Sequence, residues 1–304
     1  MLERRGIIID FNPAELPFVK EAVHGGSPGF REMQPEKSIG DDHGEMSSPA
    51  EAVQCMDGRL PEFLGVGVQK GGTTTLQAML QKHPGVFLPP TKEVHFFSLH
   101  YGKGEGWYRE QFAAATSGQR CGEITPYYLF HPEAPARISS LLPTVRLIVL
   151  LRDPVERCLS GLFHSQRLGL ETLPVEEALE AEVGRLAGAE AVLAATDGRH
   201  LSHQVHSYLS RSRYEHQLMR YEQLFSPDQL LLLRSEDLFQ NPQSLWLRVL
   251  AFLELEECAL PRGVGRQNAG AGEAERLDPE LLRILRQQLN PTYEAMESRY
   301  GLQW

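Results

Sequence analysis

The chain has 304 residues, 41% of them apolar, which is length and hydrophobicity enough to bury a substantial core. Its formal net charge of −10 excludes a protein that coats nucleic acid by charge alone, because such binding needs a basic face to replace counterions. Any polyanionic substrate must therefore find a local basic cleft.

The N-terminus, MLERRGIIIDFNPAEL, holds an apolar run too short for a signal h-region or a membrane span. A cytoplasmic protein with no stable membrane insertion is expected. The four cysteines, Cys55, Cys121, Cys158 and Cys258, form no C-x-x-C pair and show no metal-ligand spacing, which fits reduced thiols. From Ala22 to Asp57 the chain is rich in Gly, Pro, Ser and acidic residues and has no apolar period. Residues 1–59 are expected to be a loosely packed extension and 60–304 the folded domain.

Within that domain FLGVGVQ reads as a short strand and TTTLQAMLQKH as a helix. VRLIVLL (Val145 to Leu151) and DQLLLLR (Asp228 to Arg234) are continuous apolar runs of the kind buried parallel strands show. Helical patterns separate and follow them: PVERCLSGLFHSQRL, the Ala/Glu-rich VEEALEAEVGRLAGAEAVLAA, SLWLRVLAFLEL, and DPELLRILRQQL with Asp278 as cap and Pro279 in the first turn. Strand, helix, strand order predicts an α/β fold, a doubly wound parallel sheet flanked by helices.

The first strand leads into Gly65-Val66-Gly67-Val68-Gln69-Lys70-Gly71-Gly72-Thr73-Thr74-Thr75. A strand end, a turn with two glycines and a helix start bring several backbone N–H groups to one point, where unpaired amides and the helix dipole favour an anion. Lys70 adds a mobile positive charge, and the hydroxyls of Thr73, Thr74 and Thr75 can donate to phosphate oxygens. The bland alternative is a turn that only joins strand to helix. A dinucleotide fingerprint is disfavoured because its third glycine would stand at Lys70. A nucleotide-dependent kinase is disfavoured because Thr73 occupies the lysine position of a nucleotide-triphosphate loop. A non-catalytic nucleotide-binding module remains a third reading.

Two further stretches carry chemistry. In PTKEVHFFSLHY, Glu93 and His95 flank Val94, so on an extended segment both project to one side while Phe96 and Phe97 anchor it. Either is a candidate general base beside a phosphate site; the alternative is a surface ion pair for Glu93 and a satisfied polar role for His95. In IVLLRDPVERCLSGLFHSQR, Arg152 leaves the carboxyl end of a strand, Asp153 caps and Pro154 opens a helix, and Ser160 lies on its second turn. The guanidinium fork suits a phosphate monoester and Ser160 can add a hydroxyl. Alternatively Arg152 pairs with Asp153 or Glu156 and merely secures the helix start.

Gln69-Lys70-Gly71-Gly72-Thr73, Lys92-Glu93-Val94-His95-Phe96-Phe97, Glu123-Ile124-Thr125-Pro126-Tyr127-Tyr128 and Leu151-Arg152-Asp153-Pro154 with Ser160 together resemble the sulfotransferases that use 3′-phosphoadenosine 5′-phosphosulfate. The pattern is most similar to the heparan sulfate 3-O- and N-sulfotransferase group and its bacterial counterparts. The resemblance runs from about Phe63 to Trp304. It implies a P-loop-like three-layer fold and transfer of a sulfuryl group, with adenosine 3′,5′-bisphosphate as the product and no metal required. It also implies that Lys70 and Gly71 to Thr75 bind the 5′ end of the donor, that Arg152 and Ser160 bind its 3′-phosphate, and that Glu93 is the base. His95 is a second candidate, since the small-molecule branch of the superfamily uses a histidine. Lys70 and the loop amides are expected to lower the Glu93 pKa. Two departures concern the substrate: Ile124 stands where the glycosaminoglycan enzymes commonly carry lysine, and RQNAGAGEAERLDP lacks their Lys-Gly-Arg run, with only Arg266 and Arg276 nearby. The acceptor is thus a small-molecule, carbohydrate, lipid or carrier-bound hydroxyl or amine, and no nucleic acid is expected.

Overall fold

A computed structural model describes residues 58–262 and 277–304. The expected extension, residues 1–59, and the region around Arg266 and Arg276 fall outside the described residues, except for Gly58 and Arg59.

Five strands form one parallel sheet in the order β2-β3-β1-β4-β5: β1 (Phe63–Gly67), β2 (Val86–Phe87), β3 (Arg120–Ile124), β4 (Arg146–Leu151) and β5 (Leu230–Arg234). Helix α1 (Thr73–Leu80) joins β1 to β2, α2 (Phe96–Leu99) and α3 (Gly104–Glu110) precede β3, and α4 (Tyr127–Phe130) and α5 (Ala134–Leu141) lead to β4. Between β4 and β5 run α6 (Pro154–Arg167), α7 (Val175–Leu186), α8 (Ala189–Leu193), α9 (Leu201–Val205) and α10 (Tyr214–Glu222). After β5 come α11 (Ser235–Gln240), α12 (Pro242–Phe252), α13 (Pro279–Gln288) and α14 (Asn290–Tyr300).

Alternation along the strands divides the core into two layers. Leu64, Val66, Leu147, Val149 and Leu151 pack on one face with Phe97, Tyr128, Tyr221 and Met296. Phe63, Ile148, Leu150 and Leu233 pack on the other with Leu76, Leu80, Trp246 and Leu250. Successive side chains of a strand point to opposite faces, so helices cover both sides of the sheet and the architecture is three-layered. The expected α/β architecture is therefore present.

Two details differ from the sequence reading. The Ala/Glu-rich run forms two helices rather than one, because Gly188 adopts a left-handed φ of 75° between α7 and α8. The sheet also contains β2 and β3, which were not expected; β2 is only two residues long and β3, RCGEI, has no apolar run. The strand order places a switch point at the carboxyl ends of β1 and β4. The chain leaves β1 toward β2 and β3 on one side and leaves β4 toward β5 on the other, which opens a crevice between their ends.

Candidate active site

The loop after β1 sits in that crevice. Val68 donates its N–H to the Leu150 carbonyl at 2.9 Å and Gly71 donates to the Val68 carbonyl at 3.0 Å, so the turn is stitched to β4 and to itself. A methyl group at Gly71 would collide with the Leu150 carbonyl oxygen, and Gly72 has φ 90°; each position needs glycine for a different reason. Helix α1 then starts at Thr73 with no side-chain cap and no acidic residue in its first turn. The N–H groups of Gly72, Thr73 and Thr74 have no backbone acceptor among the described residues. Together with the aligned helix dipole they form a positive surface suited to an anion.

The Lys92-to-Phe97 segment closes one wall. It is not extended: Glu93 and His95 both have left-handed φ, 58° and 56°, and His95 precedes the first turn of α2. Their side chains nevertheless converge, by curvature of the turn rather than by strand alternation. His95 Nε2 lies 3.4 Å from Glu93 Oε2, and Lys92 Nζ lies 3.1 Å from Glu93 Oε1. Lys92 also donates to Thr74 Oγ1 at 2.7 Å, which ties this wall to helix α1. The other ring nitrogen of His95, Nδ1, is 3.1 Å from Ser98 Oγ.

Burial pushes the Glu93 carboxyl upward, but the hydrogen bond from His95 and the charge of Lys92 outweigh it and bring the pKa down to about 2. The direction matches the expectation, and the leading lowering contributions come from His95 and Lys92. Of the four non-glycine residues with left-handed φ among the described residues, three are Lys70, Glu93 and His95. Such backbone is retained where the surroundings over-determine it, and functional sites are its usual place.

The third wall is the β4–α6 corner. Asp153 caps α6 by accepting from the Glu156 N–H at 2.9 Å, and it accepts from the Tyr293 hydroxyl at the same distance. Arg152 pairs with Glu156 at 2.9 Å and its Nη1 lies 3.4 Å from the Lys70 carbonyl oxygen. The ion-pair alternative for Arg152 is thus present in the fold, and the same side chain lines the cleft. Burial and the charge of Lys70 hold His164, one turn beyond Ser160, down to about 4.

These walls enclose one cleft. Lys70, Gly72, Thr73, Thr74, Glu93, Arg152 and Ser160 line it, whereas Gly71, Thr75 and His95 stand behind its surface. Lys70, Lys92 and Arg152 face a single carboxylate, Glu93, which supplies the local basic site an acidic chain needs for a polyanion. Gln69, Lys92, Pro126, His164, Ser235 and Phe239 complete the lining and were not singled out from the sequence. Lys92 and Gln69 sit inside motifs already recognised, so adjacency could have found them. Ser235 follows β5 at the ligand edge of the sheet, and His164 is four residues after Ser160 on the same helix face. Phe239 carried no such signal. No group of three or more His, Cys, Asp or Glu able to hold a metal ion occurs among the described residues.

The sequence model of the family described as "Sulfotransferase domain" matches residues 60–262. The chain belongs to this sulfotransferase domain family. The chemistry of the family is transfer of a sulfuryl group. Human heparan sulfate glucosamine 3-O-sulfotransferase 3B1 is 33% identical over 204 residues, 65% of this chain and 47% of that protein. The membrane-associated sulfotransferase kil1 of Dictyostelium discoideum is 42% identical over 109 residues, 35% of this chain and 23% of that one. This sulfotransferase chain therefore spans about half or less of the length of these curated relatives. The crystal structure of a sulfotransferase from Alicyclobacillus acidocaldarius superposes with a TM-score of 0.68 at 24% identity, covering 81% of this chain and 98% of that one, and shares the fold. No helix among the described residues is long and apolar enough to cross a membrane.

Proposed function

We propose that this sulfotransferase domain moves the sulfuryl group of 3′-phosphoadenosine 5′-phosphosulfate to an acceptor hydroxyl or amine. The observation that carries this reading is the convergence of Lys70, Arg152 and Glu93 on one cleft at the switch point of the sheet. A donor with phosphates at two separated positions fits the residues present. The glycine turn leaves no room for side chains, the amides of Gly72 to Thr74 lack backbone partners among the described residues, and a cation stands on each of the three walls.

In this reading Lys70, the Gly71–Gly72 turn and the hydroxyls of Thr73 and Thr74 hold the 5′ end, while Thr75 and Gly71 shape the turn from behind. Arg152 and Ser160 hold the 3′-phosphate. Lys70 stabilises the charge that develops on the 5′-phosphate as the S–O bond breaks. Glu93, kept ionised by Lys92 and His95, takes the proton from the acceptor as its oxygen or nitrogen attacks sulfur in line. A carboxylate with so low a pKa is a weak base, so most of the rate must come from orientation and leaving-group stabilisation. The relatives named for heparan sulfate favour a carbohydrate hydroxyl, whereas Ile124 leaves no lysine at the position those enzymes commonly use, so small-molecule, lipid and carrier-bound acceptors belong in the test. The free thiols Cys121, Cys158 and Cys258 support a reducing, cytoplasmic setting.

The test is to incubate the protein with sulfur-labelled donor and a panel of saccharides, small phenols and alcohols, lipids and amines, following labelled product and release of adenosine 3′,5′-bisphosphate. Label transfer that disappears in Glu93→Gln is expected. Failure to bind adenosine 3′,5′-bisphosphate more tightly than adenosine 5′-monophosphate would overturn the reading.

A further inference from the structure

Glu123, the penultimate residue of β3, is 2% exposed. No Lys or Arg lies within ion-pair distance of it among the described residues, and three hydroxyls satisfy it instead. Tyr108 donates to Oε1 at 2.6 Å, Tyr128 donates to Oε1 at 2.9 Å, and Thr125 donates to Oε2 at 2.7 Å. A buried carboxylate without a cation is costly, and burial pushes this one's pKa upward. A glutamine or an apolar residue would fill the same space at less cost.

What the carboxylate supplies is direction. A hydroxyl has one proton; once that proton is committed to Glu123, only lone pairs face the other way. Those lone pairs meet the segment that carries Glu93. Thr125 Oγ1 accepts from the His95 N–H at 3.4 Å, and the Tyr128 hydroxyl accepts from the Phe97 N–H at 3.3 Å. Tyr108 makes no such second bond among the described residues; it stacks on Phe96 with ring centroids 4.2 Å apart.

We propose that Glu123 is a positioning residue: through Thr125 and Tyr128 it holds the amides of His95 and Phe97, and so fixes the left-handed turn that presents Glu93 to the cleft. The proposal rests on the reading of Glu93 as base only for its effect on rate. The relay itself has a separate readout in the backbone. Glu123 does not line the cleft, so it acts through the placement of another group, where misplacement by about 1 Å can cost on the order of 100-fold in rate.

The experiment compares Thr125→Val, Thr125→Ser, Glu123→Gln and Tyr108→Phe in the full chain. Amide hydrogen exchange of the peptide spanning residues 92–99, kcat and donor KM, calorimetric binding of adenosine 3′,5′-bisphosphate and the thermal midpoint are all measured. Thr125→Val and Glu123→Gln should speed exchange of that peptide by about tenfold or more and lower kcat by about 10- to 100-fold, with donor affinity unchanged. Thr125→Ser, which keeps the hydroxyl, should match the parent in both. Tyr108→Phe loses a bond to the same carboxylate but none to the segment, so it should lower the thermal midpoint and leave kcat within about threefold.

Unchanged exchange at residues 92–99 in Thr125→Val would overturn the relay, as would a kcat loss in Tyr108→Phe equal to that in Glu123→Gln. Should Thr125→Val fail to fold, the near-isosteric Glu123→Gln decides. A fully active Glu93→Gln would instead remove the base assignment while leaving the exchange result to judge the relay.

Discussion

Arg152 and Glu156 are paired at 2.9 Å across the start of α6, so the guanidinium proposed for the 3′-phosphate is engaged by a carboxylate before any ligand arrives. Glu156 is more than half exposed, which makes the pair weak, and a phosphate bearing more charge can displace or share it. Glu156→Gln should therefore tighten binding of adenosine 3′,5′-bisphosphate by a few-fold, consistent with the roughly 0–1 kcal/mol such pairs contribute. Arg152→Ala should abolish most of the preference for adenosine 3′,5′-bisphosphate over adenosine 5′-monophosphate, a loss of about 2 kcal/mol. Calorimetry on both variants checks this; an intact preference in Arg152→Ala would leave the arginine only its helix-start role.

Lys70 has left-handed backbone and faces the cleft from the turn that follows β1. Lys70→Ala should lower turnover by about 100-fold or more, since one preorganised contact to developing charge is lost. Single-turnover kinetics at saturating donor separate this from weaker binding, and an unchanged chemical step would refute the role.

Glu93 and His95, the two candidates for the base, differ in exposure. The glutamate side chain is 34% exposed and lines the cleft; the histidine is 17% exposed and stands behind it. Glu93→Gln should cut turnover by about 100-fold with donor affinity nearly unchanged, and His95→Asn should lose less. The reverse order of effects would move the base onto the histidine.

Lys92 is one of the groups holding Glu93 near pKa 2. Removing its charge in Lys92→Met should raise the folded pKa of Glu93 toward its ordinary value of 4.5. If Glu93 acts as the proposed base in its ionised form, the acidic limb of kcat should move to higher pH in the variant. A ratio of kcat at pH 4 to kcat at pH 7 that is the same in Lys92→Met as in the parent would contradict the contact.

His131 and His203 lie in the helical layer beside Tyr127, which is within 2.9 Å of His203 Nδ1. Burial, then the charge of Arg137, holds His131 down to about 3; burial, then Arg211, holds His203 to about 2. A histidine whose folded pKa lies below its unfolded value of 6.5 binds fewer protons when folded. Stability is therefore whole above about pH 6.5 and falls as pH drops below it, by about 1.4 kcal/mol per pH unit for each such group until the folded pKa is reached. Urea unfolding between pH 7 and 5 should show this slope, and His203→Gln should reduce it by about one proton.

The parts of this molecule legible in the sequence are those written in contiguous residues. RLIVLL announces a buried strand because both faces of β4 are covered, and Gly71 and Gly72 announce the tight turn after β1 because only glycine fits there. Strand β3 was missed because it is short and spends one of its five residues, Glu123, on a polar network instead of an apolar layer. The left-handed turn at Glu93 has no sequence signature, since glutamate rarely adopts φ above zero, and the bonds that join the His95 and Phe97 amides to Thr125 and Tyr128 come from residues thirty or more positions away. Phe239 reaches the cleft only because β5 lies beside β4, a neighbour relation that no linear motif encodes.

The left-handed residues around the cleft also set how this domain responds to selection. Glycine at Lys70, Glu93 or His95 would relieve the backbone at each position and remove a side chain that the proposed chemistry uses. A screen that rewards heat tolerance alone would accumulate changes at these three positions and quietly extinguish turnover. A screen that also demands product must look for its gains elsewhere, on the exposed faces of the helices.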